Sequence, residues 1–353
     1  MRQLDRYVGK SVFAAIALVL VVIVGLDAIA AFIDEAEDIS GGYTFAQVGL
    51  YVFLTLPGRF YDFMPFAALI GVLLGLGQLA SSSELVVMRG AGVSIGRLVW
   101  LAMKPTLLVA VMGFALGEYL APATEQMAES RRAMAQNPGE SFGGRHGIWN
   151  REGNTFLHFN ALQSSGVVYG VTLLQFDEQR RMQSALRATR ATYLGDHWEM
   201  EEVVKTNFSS WETTREELTR LRWDTGITPE LLTLVVVEPD QLPVADLYRY
   251  SRYLQQQGLD SDDYLLALWG KLLQPLAIAS LVLVAISFIF GPLREGTMGF
   301  RIFAGVIVGI VFRTTQDLFG PASLVFGFSP LYAALAPVLL CFLAGVILLA
   351  RAR

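Results

Sequence analysis

Seven ionisable side chains interrupt stretches of sequence that are otherwise apolar, where charge is costly unless it has a partner or faces a cavity. They are Asp27, Arg59, Asp62, Glu118, Lys271, Arg313 and Asp317. Arg313 and Asp317 are four residues apart and therefore share one face of a helix. Two interpretations stay open. The three cations and four acids could pair to pack helices together, or they could line a cavity that binds a phosphorylated amphiphile.

The elements that carry these charges are predicted to be membrane-spanning helices. Hydrophobic residues make up 53% of the 353-residue chain and charged residues only 17%, with a mean hydropathy of +0.45. A soluble domain usually carries about 25% charge. Six apolar stretches are candidates for crossing a bilayer, and they cover residues 11–33, 46–80, 98–121, 264–290, 302–319 and 330–350. The second is too long for one straight crossing, so it kinks or extends outside the membrane, and the fifth is short.

Basic residues set the orientation of these spans, because cytoplasmic loops carry an excess of Lys and Arg. Both termini and the loops after spans two and four are basic, through Arg2, Arg6, Lys10, Arg89, Arg97, Lys104, Arg294, Arg301, Arg351 and Arg353. The loop after span one is acidic, and residues 320–329 carry no charge. The pattern predicts cytoplasmic termini, three spans on each side of an outside domain, and all seven charges in the outer half of the membrane.

The outside domain is predicted at residues 122–263, between a first membrane part at 1–121 and a second at 264–353. Residues 125–263 hold 14 of the 27 Lys and Arg and 21 of the 32 Asp and Glu. After a helical start over 122–136, the pattern predicts one antiparallel β-sandwich or jelly roll. Its strands are expected at 148–149, 155–159, 167–176, 186–194, 198–204 and 231–237, before an amphipathic helix at 244–257. An open sheet edge could accept a partner's strand.

Several classes of site are not expected. The outside domain shows no catalytic constellation, and His146, His158 and His197 lack metal-ligand spacing, so we predict no metal. The single cysteine, Cys341, cannot form an internal disulfide. A net charge of −5 argues against nucleic acid as a partner.

A short polar loop after span two contains the segment 81–92, SSSELVVMRGAG. Ser81 and Glu84 fit a capping box and Gly90 fits a helix stop, which predicts a helix of about two turns over about 83–91. Its four consecutive apolar residues would meet water unless they pack against the spans or fill a groove on a partner. We favour docking of a separate ATPase, since this chain has no nucleotide site of its own.

The whole chain resembles the LptF/LptG permease family of the Gram-negative lipopolysaccharide transport system, and the LptG branch more closely. The resemblance rests on LDRY at 4–7, AALIGVLLGLGQLASSSELVVMR at 67–89, GEYLAPATEQMA at 117–128, SFIFGPLREGTM at 287–298 and Gly320-Pro321. SELVVMR is the most specific of these segments, because neither composition nor helix propensity requires it.

The resemblance implies a permease that extracts lipopolysaccharide from the outer leaflet of the inner membrane and passes it toward the outer membrane. It implies a heterodimer with LptF, a dimer of the ATPase LptB that binds ATP and Mg²⁺, and the single-span protein LptC, with no cofactor in this chain. Glu84 falls on the family's coupling-helix glutamate, and the expected ATPase-coupling residues are Glu84, Leu85, Val87, Met88 and Arg89. The expected substrate-binding residues are Arg59 and Arg132, which match basic positions of the family, together with Arg131, Lys271 and Arg313, which the charge pattern adds.

A lateral gate is expected where spans one and five meet LptF, as the resemblance implies. Span one carries Asp27 in its outer half and span five carries Asp317 at similar depth, and neither shows the long apolar surface of a permanently lipid-facing helix. The expected gate residues are Gly25, Asp27, Ala28 and Asp317. Relatives can carry lysines just after span one, where this chain has Glu35, Glu37 and Asp38, so a substrate role for that segment is in doubt.

Other function classes fit less well. A secondary transporter would show repeats between its halves, and none is visible between spans 1–3 and 4–6. A sensor would need a cytoplasmic output domain, for which the loops are too short. A permease for another anionic lipid or amphiphile remains the alternative.

Overall fold

The computed structural model describes residues 2–39, 43–136, 148–163, 167–209, 211–229, 231–232, 238–291 and 296–351. In chain order its helices are α1 (Arg2–Glu37), α2 (Phe45–Ser81), α3 (Glu84–Gly90), α4 (Ile95–Ala115), α5 (Ala121–Gln136), α6 (Val244–Gln256), α7 (Asp262–Phe290), α8 (Met298–Phe326) and α9 (Pro330–Arg351). A π-helical turn, Leu116–Leu120, joins α4 to α5.

Within the described residues, six helices are long and apolar enough to cross a membrane, as predicted: α1, α2, the continuous α4–α5 helix, α7, α8 and α9. The fifth span was predicted too short, because α8 has 29 residues and continues through Gly320 and Pro321. Its first turn includes Arg301, whose buried guanidinium donates a hydrogen bond to the Gly77 carbonyl at 3.1 Å. Because its charge is hydrogen-bonded inside the bundle, Arg301 belongs to the helix and does not mark a loop before it.

The long second span is one helix of 37 residues with Pro57 and Pro65 inside it. Proline has no amide hydrogen, so Pro65 leaves the Tyr61 carbonyl, four residues earlier, without its usual helical partner. The Gln274 side chain of α7 donates to that carbonyl at 3.0 Å. The carbonyl that lacks its helical hydrogen bond thus joins α2 to α7.

The helices pack around α2 and α7, which lie at the centre of the bundle. Gly71 and Gly75 let the backbones of α1 and α2 approach closely, since an added Cβ at Gly71 would lie 2.5 Å from the Ile16 Cα. Gly305 and Gly309 of α8 instead make room for side chains of α2, because an added Cβ would lie 2.4 Å from a Leu73 methyl carbon and 2.7 Å from the Phe66 ring. Both small-residue patterns therefore serve contacts inside this chain.

The strands between α5 and α6 form one antiparallel sheet and confirm the inserted all-β domain. They are β1 (Ile148–Glu152), β2 (Thr155–Phe159), β3 (Ala161–Gln163), β4 (Val167–Phe176), β5 (Met182–Tyr193), β6 (Trp198–Phe208) and β7 (Thr213–Trp223). The order is β1-β2-β4-β5-β6-β7, with β3 also paired to β4. Trp198 is fully buried in the core of the sheet, and its indole donates to the Ile227 carbonyl at 2.8 Å.

Two features of this sheet differ from the sequence prediction. Strand β7 was missed, because most of its side chains are exposed and it lacks apolar alternation. The strand predicted at 231–237 is not borne out at its start, since Leu231 and Leu232 are helical. Residues 233–237 lie outside the described residues. The helical start at 122–136 and the amphipathic helix α6 are confirmed.

Candidate functional site

A cavity of 560 Å³ lies where α1, α2, α5, α7 and α8 separate, at the end of the bundle away from α3. Three cations and five carboxylates line it: Arg59, Lys271, Arg313, Asp27, Asp62, Glu125, Glu129 and Asp240. Five of the seven intramembrane charges identified in the sequence thus meet in one place. Glu118 and Asp317 are not part of the wall that the described residues form.

Arg59 is held in position by two neighbours on the cavity wall. Its guanidinium forms an ion pair with Asp27 of α1, and its Nε donates to the Thr55 hydroxyl, one turn earlier in α2, at 3.2 Å. The Arg59 side chain stays 24% exposed and Asp27 29% exposed. Arg59 therefore fits both interpretations of the intramembrane charges. It pairs with an acid of a neighbouring helix, and it also faces the cavity.

Lys271 is the most buried of the three cavity cations, with 8% exposure. Its ammonium donates to the Leu242 carbonyl at 2.7 Å. Glu118 makes a similar contact from the π-helical turn, where its carboxylate accepts a hydrogen bond from the Val244 amide at 2.8 Å. Both charges thus hold the segment that leads from the sheet into α6.

Arg313 lies on α8, where it pairs with Asp317 one turn later at 3.1 Å. Both side chains are more than half exposed. Arg313 reaches the cavity wall, whereas Asp317 points to the surface of the chain. The i,i+4 pair predicted from the sequence is present.

Arg131 and Arg132 line a second pocket, of 290 Å³, which the structure places apart from the three cavity cations. Arg132 forms ion pairs with Glu35 at 2.6 Å and Asp38 at 2.7 Å, and its guanidinium lies 5.3 Å from the centre of the Tyr51 ring. Tyr51 lines both pockets and is the link between them. The acidic segment at the end of α1 therefore pairs with a basic residue.

Tyr43 fixes this acidic segment from the other side. Its buried hydroxyl donates to the Glu35 carboxylate at 2.9 Å. Burial, together with that hydrogen bond, raises the pKa of the Tyr43 hydroxyl above its ordinary value. The hydroxyl accordingly stays protonated, and a donor, over the whole neutral range.

Sequence reasoning missed the acids that α5 contributes to the site. Glu125 and Glu129 are four residues apart and line the cavity, and Glu129 accepts a hydrogen bond from Tyr51 at 2.7 Å. The signal was present, because 125, 129 and 132 share one face of a helix that was itself predicted. Gly58 faces them, and its missing side chain makes room for Glu125, whose carboxylate fills the place of a Cβ.

The expected gate residues lie on two different faces. Asp27 turns toward α2 and Ala28 is half-buried, whereas Gly25 is exposed, and a Cβ added there would meet none of the described atoms within 4 Å beyond its own stretch of helix. The expectation that α1 lacks a long apolar surface was wrong. With Asp27 turned inward, the opposite face exposes Leu18, Val21, Val22, Leu26, Ile29 and Ile33.

The short helix predicted at about 83–91 is present as α3 and ends at Gly90. The predicted capping box is wrong, because the Ser81 hydroxyl donates to the Gln78 carbonyl at 2.8 Å and the helix begins after Ser83, which has a φ of 62°. Glu84 instead accepts from the Ser82 hydroxyl at 3.0 Å.

The apolar run of α3 divides between the two roles that the sequence left open. Leu85 is buried in the core of the bundle and Met88 packs against it. Val86 and Val87 are 58% and 69% exposed, and Arg89 is exposed as well. The surface that α3 offers to a partner therefore consists of its valines and charged residues, while Leu85 anchors the helix.

The fold and site define a class: a multi-pass helical membrane protein with an inserted antiparallel sheet and a charged cavity at one end of its bundle. The chain belongs to the family described as lipopolysaccharide export system permease LptF/LptG, which it matches over residues 6–351. It is similar to the lipopolysaccharide export system permease protein LptG of Escherichia coli strain K12, with 36% identity covering 99% of this chain and 98% of that protein. The LptG of Haemophilus influenzae is 34% identical over 100% and 99% of the two chains.

Membership of a permease family makes the chain a transport subunit rather than an enzyme, and the resemblance drawn from the sequence is confirmed.

Proposed function

We propose that this chain is the LptG-like permease subunit of an ABC transporter that extracts lipopolysaccharide from the outer leaflet of the inner membrane. The lipid is passed on toward the outer membrane. The observation that carries the proposal is the pairing of two surfaces on one bundle. A cavity with three cations lies at one end, and a short helix with exposed valines lies at the other.

The proposal includes an orientation in the membrane. With α3 and both termini in the cytoplasm, the cavity lies at the periplasmic side of the inner membrane and the sheet domain, at about 122–263, is periplasmic. This agrees with the excess of basic residues in the loops at the α3 end.

The three cations of the cavity, although outnumbered by its five carboxylates, are groups that can bind a lipid carrying phosphates. Arg59 and Arg313 present guanidinium groups that can bind phosphate oxygens in pairs, and Lys271 adds a point charge. Arg131 and Arg132 extend the basic surface into the second pocket. The ion pairs of Arg59 and Arg132 hold their guanidinium groups in place before a ligand arrives, which lowers the entropy cost of binding.

The driving force comes from a separate ATPase, which we take to be an LptB dimer that binds ATP and Mg²⁺. Glu84, Val87 and Arg89 make the direct contact, whereas Leu85 and Met88 act by joining α3 to the core. We expect no cofactor in this chain itself. The other partners are LptF, as the second permease of a heterodimer, and LptC.

The lipid reaches the cavity through a lateral gate between α1 of this chain and the fifth span of LptF. Gly25, Asp27 and Ala28 lie on the α1 side, and Asp317 lies on the reciprocal edge formed by α8. A disulfide from Ala28→Cys to the fifth span of LptF should block lipid release, and reduction should restore it. Full release with the crosslink intact would place the gate elsewhere.

Co-purification followed by lipid release tests the whole proposal. The chain should purify with LptB, LptF and LptC, and the assembly in vesicles should release lipopolysaccharide only when ATP is hydrolysed. Glu84→Ala should weaken ATPase binding or lower release, while Glu178→Ala, at an exposed turn of the sheet, should change neither. ATP-dependent release of another anionic lipid in place of lipopolysaccharide would favour the alternative substrate.

A further inference from the structure

The segment Pro239–Val244, which we call the strap, connects the sheet domain to α6 and forms one wall of the cavity. It begins with a 3-10 turn, Pro239–Gln241, and Asp240 and Gln241 of that turn line the cavity. Leu242, the next residue, is fully buried. The strap is thus the part of the cavity wall that does not belong to a membrane-spanning helix.

The first polar contact that fastens the strap comes from α7. Lys271 donates its ammonium to the Leu242 carbonyl at 2.7 Å, and this contact is buried. A charged donor on a buried carbonyl is about twice as strong as a neutral hydrogen bond. The same ammonium also lies on the cavity wall.

The second contact comes from the π-helical turn of the third span. The extra residue in a π-helical turn re-aims the side chains that follow it, and such turns are frequent at functional sites. The Glu118 carboxylate accepts from the Val244 amide at 2.8 Å. Val244 is the first residue of α6, so the carboxylate also meets the positive end of that helix.

An apolar contact lies beneath these two. Leu242 packs with Leu247, Tyr250 and Leu254 of α6 and with Leu268 of α7. The strap and α6 therefore rest on α7 as one unit. The fastening carboxylate and ammonium, however, come from two different spans.

We propose that the strap is a movable wall of the cavity and that Glu118 and Lys271 are the positioning residues that fasten it. Because the strap rests on α7 together with Lys271, a movement of the third span relative to the fourth lengthens the Glu118 contact, and the strap then separates from the third span. Lys271 consequently has a role that does not depend on ligand binding. The inference extends the proposed function but does not depend on it, because the fastening can be measured without lipid or ATP.

Cysteine accessibility in the assembled transporter tests this proposal. Leu242→Cys keeps the carbonyl that Lys271 binds, and Cys341→Ala removes the native thiol. The buried thiol should react slowly with a membrane-impermeant maleimide. Lys271→Met and Glu118→Ala should each raise the labelling rate about tenfold, the size expected for the loss of one charge-assisted hydrogen bond.

Matched variants distinguish loss of the two contacts that fasten the strap from a general destabilisation of the fold. Lys271→Arg and Glu118→Gln retain a donor and an acceptor and should restore slow labelling. Gln274→Leu, one turn from Lys271 on α7, removes the bond to Tyr61 and should leave labelling at the parent rate.

Hydrogen exchange provides a readout with Leu242 intact. Exchange of the Val244 amide and of the peptide covering α6 should accelerate in Lys271→Met and in Glu118→Ala. Parent rates of labelling and of exchange in a folded Lys271→Met or Glu118→Ala transporter would overturn the proposal. Loss of lipid release in Lys271→Met with parent rates of labelling and exchange would assign Lys271 to ligand contact, which would support the proposed function and overturn the strap.

Discussion

The two ends of the helical bundle differ in how closely they are packed. At the α3 end, α1, α2, α4 and α7 share one apolar core that includes Val12, Leu73 and Leu101 and reaches α3 through Leu85. At the sheet end the same helices separate around a 560 Å³ cavity with eight ionisable groups on its wall. A closely packed interior transmits displacement, whereas a hollow one can change shape at low cost. The difference suits a protein driven from one end and loaded at the other.

The largest expected effect lies where α3 joins the packed end. Leu85→Ala removes a side chain that is 4% exposed and should destabilise the contact between α3 and the bundle by about 3 kcal/mol. Val87→Ala, on the 69% exposed face of the same helix, should change stability by less than about 0.5 kcal/mol. Thermal unfolding of both variants in detergent makes the measurement. Equal losses would show that α3 is not anchored through Leu85.

ATPase binding extends this pair of variants. Val87→Ala should weaken co-purification of the ATPase without a change in stability, because its side chain belongs to the docking surface. Undiminished ATPase binding by Val87→Ala would limit docking to the charged residues of α3.

A second variant tests how closely α1 and α2 are packed. The Cβ added by Gly71→Ala would lie 2.5 Å from a backbone atom of Ile16, so the two helices must move apart, at a cost of about 2 kcal/mol. Gly25→Ala adds the same methyl group to α1 where no atom lies within 4 Å, and it should leave the unfolding midpoint unchanged or slightly raised. A stable Gly71→Ala variant would mean that the packed end tolerates displacement.

A substitution at the hollow end should change stability less than one at the packed end, and it should change crosslinking of the ligand more. Arg59→Gln removes a partly exposed ion pair with Asp27 and should cost about 1 kcal/mol. Photo-crosslinking of lipopolysaccharide to the cavity should fall severalfold. Arg151→Gln, on the sheet, is the control for crosslinking. Unchanged crosslinking in folded Arg59→Gln would assign Arg59 to packing alone.

The sequence predicted the six spans well because each is a long apolar run, and span length is a local property. The partners of the charges were not predictable in this way. Arg132 meets acids 97 and 94 residues earlier in the chain, and Arg59 meets Asp27 from another helix. Strand β7 was missed for a related reason, since its charged sequence is held in place by pairing with β6 rather than by its own alternation.

The late start predicted for the fifth span has the same origin. From sequence alone, Arg301 is interpreted as a loop residue. The carbonyl that it binds belongs to Gly77, 224 residues away in the chain, and cannot be identified from the sequence. Leu85 and Val87 likewise could not be assigned to core and surface from the run LVVM. Adjacent helical residues point in different directions, and only the position of α3 on the bundle decides which one is buried.

The smallest effect is expected at Asp317, and it distinguishes a surface that faces lipid from one that faces a partner. The Arg313–Asp317 pair is more than half exposed on α8 of the single chain. Exposed i,i+4 pairs contribute about 0.3–0.5 kcal/mol, so Asp317→Asn should shift the unfolding midpoint of the isolated chain by no more than about 1 °C. If α8 packs against the second permease subunit, the pair becomes buried in the assembly. Loss of the carboxylate then leaves Arg313 uncompensated, which costs considerably more than the exposed pair contributes. Unfolding midpoints of the isolated chain and of the assembled transporter, each with and without Asp317→Asn, make the comparison. A larger shift in the assembly would show that the partner packs on this face of α8. Equal small shifts would show that this face is exposed to lipid or water in the assembly.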